Sequence, residues 1–182
     1  MRNILIIEFL EQIKSFNPNL LIEKDVKKKT ILLKAGKIAS NIYFVKKGCL
    51  RIWYNNDGKE VTVEFFFENS LASSFESFIK QEPSIFSIEL LEDSVILELS
   101  KKNYDHLIEK DLNLKNLMFK IVTVCFTNII GRLLSLIKNS PQERYDELLK
   151  TRPELLHRIP QYYIASYLGI TSVSLSRIRG RE

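Results

Sequence analysis

The chain has 182 residues, 45% hydrophobic and 27% charged, with 6 Gly and 5 Pro, a balance that excludes disordered and collagen-like chains and leaves one or two small packed domains. The 27 Lys and Arg against 22 Asp and Glu give a net charge of +5, which suits anionic partners without choosing among them. Two lone cysteines, Cys49 and Cys125, and two isolated histidines, His106 and His157, match no disulfide, cluster or metal spacing, so neither a metal nor another cofactor is expected.

The start, Met-Arg-Asn followed by Ile4 to Ile7, has the outline of a signal peptide, but Glu8 and Glu11 interrupt it and no small-residue cleavage site follows. A cytoplasmic chain is expected. The longest charge-free run near the middle, Ile121 to Gly131, falls short of the roughly 20 residues that span a bilayer, so no membrane segment is expected.

From Thr30 to Ser100, β-branched and aromatic residues recur in short runs broken by turn chemistry, the pattern of strands. Cys49 to Tyr54 and Lys59 to Phe65 flank Asn55-Asn-Asp-Gly58, a hairpin in which Asp57-Gly58 supplies the positive φ of a tight turn. Gly36 and Gly48 read as bends between strands. A second strand pair is expected at Ile85 to Leu91 and Ser94 to Leu99, joined by Glu92-Asp93. Together these predict an antiparallel β-roll, preceded by an N-terminal helix, over residues 1–111.

After Ser100, which can cap a short helix through Glu109, the period becomes helical. A long helix over residues 112–139 carries Leu114, Leu117, Ile121, Cys125, Ile129, Leu133 and Leu136 as one apolar stripe. Phe119, Phe126, Ile130 and Leu134 form another. A helix apolar on two sides needs two partners: the roll for one, and a second copy of the chain for the other, with the first stripe as the expected dimer interface. A core helix of a monomer is the alternative.

Ser140-Pro-Gln-Glu143 then carries a complete helix start, with Ser as cap, Pro at the first position and Glu returning a bond to the cap; a new domain is expected over residues 140–182. Pro153 opens a further short helix. The segment from Gln161 to Ile178 reads as helix, turn, helix: Ala165 permits close crossing, Gly169 stands where φ must be positive, Thr171 caps the second helix, and Ile164, Leu168, Ile170, Leu175 and Ile178 point inward. The second helix exposes Ser172, Ser174, Ser176, Arg177, Arg179 and Arg181, which with Thr171 and Val173 make a candidate DNA-contact set, suited to base edges near its start and to phosphates along it. Arg177, on the same turn as Val173 and Ser174, is the strongest candidate for a guanine or phosphate contact. From Ile159 onward the charges are three Arg against Glu182 alone.

The order of β-roll, long helix and helix-turn-helix, an α+β architecture, resembles the Crp-Fnr (catabolite activator) family of bacterial transcription regulators. The carriers are Gly36, Ile42-Tyr-Phe-Val-Lys-Lys-Gly48, Asp57-Gly-Lys-Glu60, Ala165-Ser-Tyr-Leu-Gly-Ile-Thr171 and Leu175-Ser-Arg-Ile-Arg179. The resemblance implies a homodimer on near-palindromic double-stranded promoter DNA, with a recognition helix in each of two major grooves, and RNA polymerase as a candidate further partner. It also implies a nucleotide pocket in cyclic-nucleotide-binding members, where a Gly-Glu pair and an Arg-Ser or Arg-Thr pair hold the ligand. Here those pairs fall at Ser73-Ser74 and Ser84-Ile85, and no Arg or Lys lies between Lys80 and Lys101, so cyclic AMP is not expected to bind. Ser73, Ser74, Phe75, Glu76, Ser77 and Ser84 are candidates to line a pocket for another small ligand, or are merely a serine-rich loop.

In the recognition helix, Val173 stands where the family often has Glu, which exchanges a cytosine contact for a thymine-methyl contact. The sequence ends close to that helix, so the wing strands of many members are expected to be missing. Two cysteines do not supply the usual four-Cys iron-sulfur cluster. Two other classes remain: a small-molecule sensor or protein-interaction dimer whose helix-turn-helix is only structural, and an enzyme on a cupin-like roll. The latter lacks any His in the strands, so no enzyme is expected, and Glu60, Glu64 and Glu89 are read as solvated strand faces.

Overall fold

The computed structural model describes residues 2–180; Arg181 and Glu182 lie outside the described residues. The chain opens with α1 (Arg2–Phe16) and a 3-10 turn (Pro18–Leu20). Eight strands follow: β1 (Leu21–Val26), β2 (Ile31–Leu33), β3 (Asn41–Lys47), β4 (Leu50–Asn56), β5 (Lys59–Phe66), β6 (Leu71–Ala72), β7 (Ser87–Leu90) and β8 (Ser94–Ser100), with α2 (Phe75–Lys80) between β6 and β7. They form two four-stranded antiparallel sheets, ordered β1-β8-β3-β6 and β2-β7-β4-β5.

The β4–β5 hairpin closes on a two-residue turn: Asn56 pairs with Lys59, and Asp57 (φ +50°) and Gly58 (φ +85°) take the left-handed conformation that matches strand twist. Gly48, between β3 and β4, has φ +100°, and a Cβ there would meet Ser94 Oγ at 2.1 Å. The expected pairing across Glu92-Asp93 does not form. β7 lies between β2 and β4, and β8 lies between β1 and β3. The corner crosses from one sheet to the other, fixed by the Asp93 carboxylate, which accepts the Lys28 N–H at 2.9 Å and pairs with Lys27. Alternation decides which face of a strand is buried; it does not choose the neighbouring strand.

Four helices continue from the roll: α3 (Lys101–Lys110), α4 (Leu112–Lys138), α5 (Pro141–Thr151) and α6 (Glu154–Arg158); α7 (Gln161–Tyr167) and α8 (Ser172–Arg179) end the described chain. Ser100 caps α3 by accepting the Asn103 N–H, and Ser140 and Glu143 form the reciprocal capping box at α5. One core fills the roll and takes in Ile6, Phe9 and Ile13 of α1 and Leu114, Leu117, Met118 and Ile121 of α4.

The apolar stripe of α4 is therefore divided. Leu114, Leu117 and Ile121 are buried in the chain's own core, Cys125 is half-buried, and Ile129 and Leu133 are exposed, so the first three are not free to meet a second copy. The reason is geometric: three successive steps of four residues from Ile121 to Leu133 each overshoot a full turn by roughly 40°, carrying the stripe away from the roll. The exposed apolar face is Phe119, Phe126, Ile129, Ile130, Leu133, Leu134 and Ile137. By length and composition α4 is also apolar enough to cross a bilayer, which the charge-free run did not reveal, although Leu114, Leu117, Met118 and Ile121 in its first half are built into the core.

Candidate nucleic-acid interface

The helix-turn-helix is built by local chemistry. Gly169 has φ +68°, its N–H donating to Ser166 O at 3.1 Å and the Ile170 N–H to Ala165 O at 3.0 Å, which closes α7 and redirects the chain. Ala165 is buried where the helices meet, with Ile164, Leu168, Leu175 and Ile178. Thr171 Oγ1 caps α8 by accepting the Ser174 N–H at 3.1 Å.

On the outer side of α8, Ser172, Val173, Ser176, Arg177 and Arg179 are exposed, with Val173 at 61%. Ser174 is half-buried, and its hydroxyl lies 2.9 Å from Thr171 Oγ1. Those two hydroxyls are engaged with each other, whereas the other five side chains are turned outward together. Arg181 lies outside the described residues.

The module is docked on the outer face of the β2-β7-β4-β5 sheet, sharing one core of Cys49, Phe65 and Leu91 from the roll with Tyr145, Leu155, Ile159 and Tyr167 from the module. Burial pushes the Cys49 thiol up to about 12. Four arginines tie the junction. Arg51 of β4, 1% exposed, donates from Nε to Glu89 at 2.9 Å, pairs with Glu60 and lies 3.7 Å from the Tyr163 ring centre. Arg132 of α4 donates to Val63 O and, at 2.8 Å, to Tyr167 O, with its guanidinium 3.7 Å from the Tyr167 ring centre. Arg152 pairs with Glu64 and donates to Phe65 O. Arg158 forks to Glu68 and Glu92 at 2.6–3.0 Å, and its hydrogen bonds hold the Glu68 carboxyl down at about 2. Glu64 and Glu89 are thus junction groups, not solvated strand faces, whereas Glu60 remains exposed while it pairs with Arg51. Nothing in their sequence spacing signals this, because each partner lies on another strand or helix.

The serine-rich loop is self-contained. Ser84 Oγ donates to Ser74 Oγ at 2.8 Å, Ser73 Oγ donates to Asn41 O, and Ser77 Oγ accepts the Ala39 N–H. Glu76 pairs with Lys80 in solvent. Ser84, at the position of the phosphate-binding arginine, and Ser74, at that of the ribose-binding glutamate, face each other as two hydroxyls, so these two residues supply neither the cation nor the carboxylate that fit a cyclic nucleotide.

Residues 23–111 match the cyclic nucleotide-binding domain family. No curated protein matches the sequence. Among solved structures, FixK2 from Bradyrhizobium japonicum superposes with a TM-score of 0.76 at 16% identity, over 88% of this chain and 83% of that one. The regulator CLP from Xanthomonas campestris, described as responsive to c-di-GMP, gives 0.71 at 16% identity over 93% and 89%. A variant of CooA from Carboxydothermus hydrogenoformans gives 0.70 at 18% identity over 90% and 76%. At these identities the likeness is one of fold, and it runs through both the roll and the helix-turn-helix. Residues 23–111 thus match a cyclic nucleotide-binding domain, and the chain as a whole has the fold seen in Crp/Fnr-type transcription regulators.

Proposed function

We propose that the protein is a cytoplasmic transcription regulator that binds near-palindromic duplex DNA as a homodimer, places α8 in the major groove and does not respond to cyclic AMP. The observation that carries this reading is the outward set on α8: Ser172, Val173, Ser176, Arg177 and Arg179 exposed above a fully packed helix-turn-helix core. Val173 suits a thymine methyl, Arg177 a guanine edge or a phosphate, and Arg179 a phosphate. The exposed apolar face of α4 supports pairing with a second copy, which would fix the spacing of two recognition helices.

Anisotropy titration of labelled duplexes at two salt concentrations tests the reading. Arg179→Ala is expected to weaken binding to all sequences alike and to lower the salt slope by about one. Binding that is salt-insensitive and unchanged by the substitution would contradict it and favour a structural helix-turn-helix.

A further inference from the structure

A crevice of about 730 Å³ opens between the second half of α4, α5, β5 and α7, reaching Asn3 at the start of α1. Its volume is that of a small-molecule site. On α4, the side facing it continues the core-facing side. Leu114, Leu117 and Ile121 are followed, at the same alternation of three and four residues, by Val124, Asn128, Gly131 and Ser135. The inward face thus changes from apolar to polar and small where the crevice begins. Gly131 stands inside a 27-residue helix, where glycine costs about 1 kcal/mol against alanine, and a Cβ there would meet nothing within 4 Å. Among the described residues, no close packing requires that glycine. Phe126, Ile130, Leu133 and Ile137 lie on the opposite side of the helix, so a second copy seated there leaves the crevice open.

The charge of the crevice is set by Arg132 and Arg144. Among the described residues neither pairs with a carboxylate. Arg132 donates to Val63 O and Tyr167 O, and Arg144 to Leu168 O, Asn139 O and Leu136 O. Carbonyls do not neutralise a guanidinium, and each arginine keeps N–H donors beyond those bonds. Of the carboxylates in the lining, Glu64 is paired with Arg152, whereas Glu147, which accepts from Ser135 Oγ at 2.6 Å, keeps its charge, so three arginines against two glutamates leave the crevice net positive.

We infer that this crevice binds a small organic anion, a phosphate ester or a carboxylate bearing further hydrogen-bonding groups, with Arg132 and Arg144 taking the charge and Asn128 and Thr127 the polar remainder. Such a ligand touches the long helix, the roll and the helix-turn-helix at once. The site stands whether or not α8 reads DNA.

The full chain, nitrogen-labelled, is titrated with glycerol phosphate in one arm and malate in another, into the millimolar range, while amide resonances are followed. Saturable shifts at Gly131 and at the Asn128 side-chain amide are expected in at least one arm, and the responding arm identifies the anion. Arg144→Gln should weaken that binding about tenfold, the loss of one charge-assisted bond. Gly131→Leu fills the open space, should melt no lower than the parent, and should abolish the shifts; Asn128→Leu serves as a second blocking variant. No saturation in either arm, shifts that persist in both blocking variants, or shifts confined to the arginines of α8 would overturn the inference.

Discussion

Arg51 shows how one residue can decide an architecture. A cation on a strand reads as an outward, hydrated position, yet Arg51 is 1% exposed because α7 covers it, and Glu89, Glu60, Thr62 and Tyr163 replace its water. Arg51→Ala leaves Glu89 without its partner, and urea unfolding is expected to show a loss of about 3–5 kcal/mol. The double substitution Arg51→Met with Glu89→Leu should recover much of it, since a removed pair costs less than a broken one. Arg158 acts by charge at a more exposed point of the same junction. Glu68 has its pKa lowered from 4.5 to about 2, so its contribution is present above about 4.5 and is lost as pH falls toward about 2. With Arg158→Met, that part of the acid-unfolding profile should flatten while stability near neutrality falls only modestly, because both side chains are partly hydrated.

Among the elements, α4 separates two roles along its length. Ile121 is 1% exposed within the chain's own core, whereas Leu133 is 50% exposed. Ile121→Ala should cost about 2–5 kcal/mol of stability in a chemical melt. If copies pair through the exposed face as proposed, Leu133→Glu should turn dimer into monomer in sedimentation and lower the melt only by what pairing contributed; a dimer unmoved by Leu133→Glu would place its interface off this face. The sequence allowed this helix to be bounded, because the apolar pattern that begins at Leu112 and the Ser140–Glu143 box are local signals. It did not show which residues face inward, because the error of each four-residue step accumulates. The same distinction runs through the molecule. The β4–β5 hairpin and the helix-turn-helix were legible because Asp57-Gly58, Ala165, Gly169 and Thr171 act within a few residues of themselves. The sheet assignment of β7 and β8, the closed hydroxyl pair Ser74–Ser84 and the Arg51 junction depend on contacts between distant segments, for which a single sequence carries no spacing.

At the scale of the whole molecule, the sheet that walls the roll also forms the floor of the helix-turn-helix module, so roll and module share a core and four arginine ties. That arrangement holds α8 in a fixed attitude to α4, and in the proposed dimer it would set one distance between the two copies of α8. The most direct test is selection of bound sequences from random duplex DNA by the purified protein, repeated with Arg177→Ala. An enriched near-palindrome with half-sites about one helical turn apart, which Arg177→Ala weakens by about 1–3 kcal/mol, is the predicted result. Enrichment of no sequence, or of one that Arg177→Ala binds equally well, would contradict a DNA-reading role for α8.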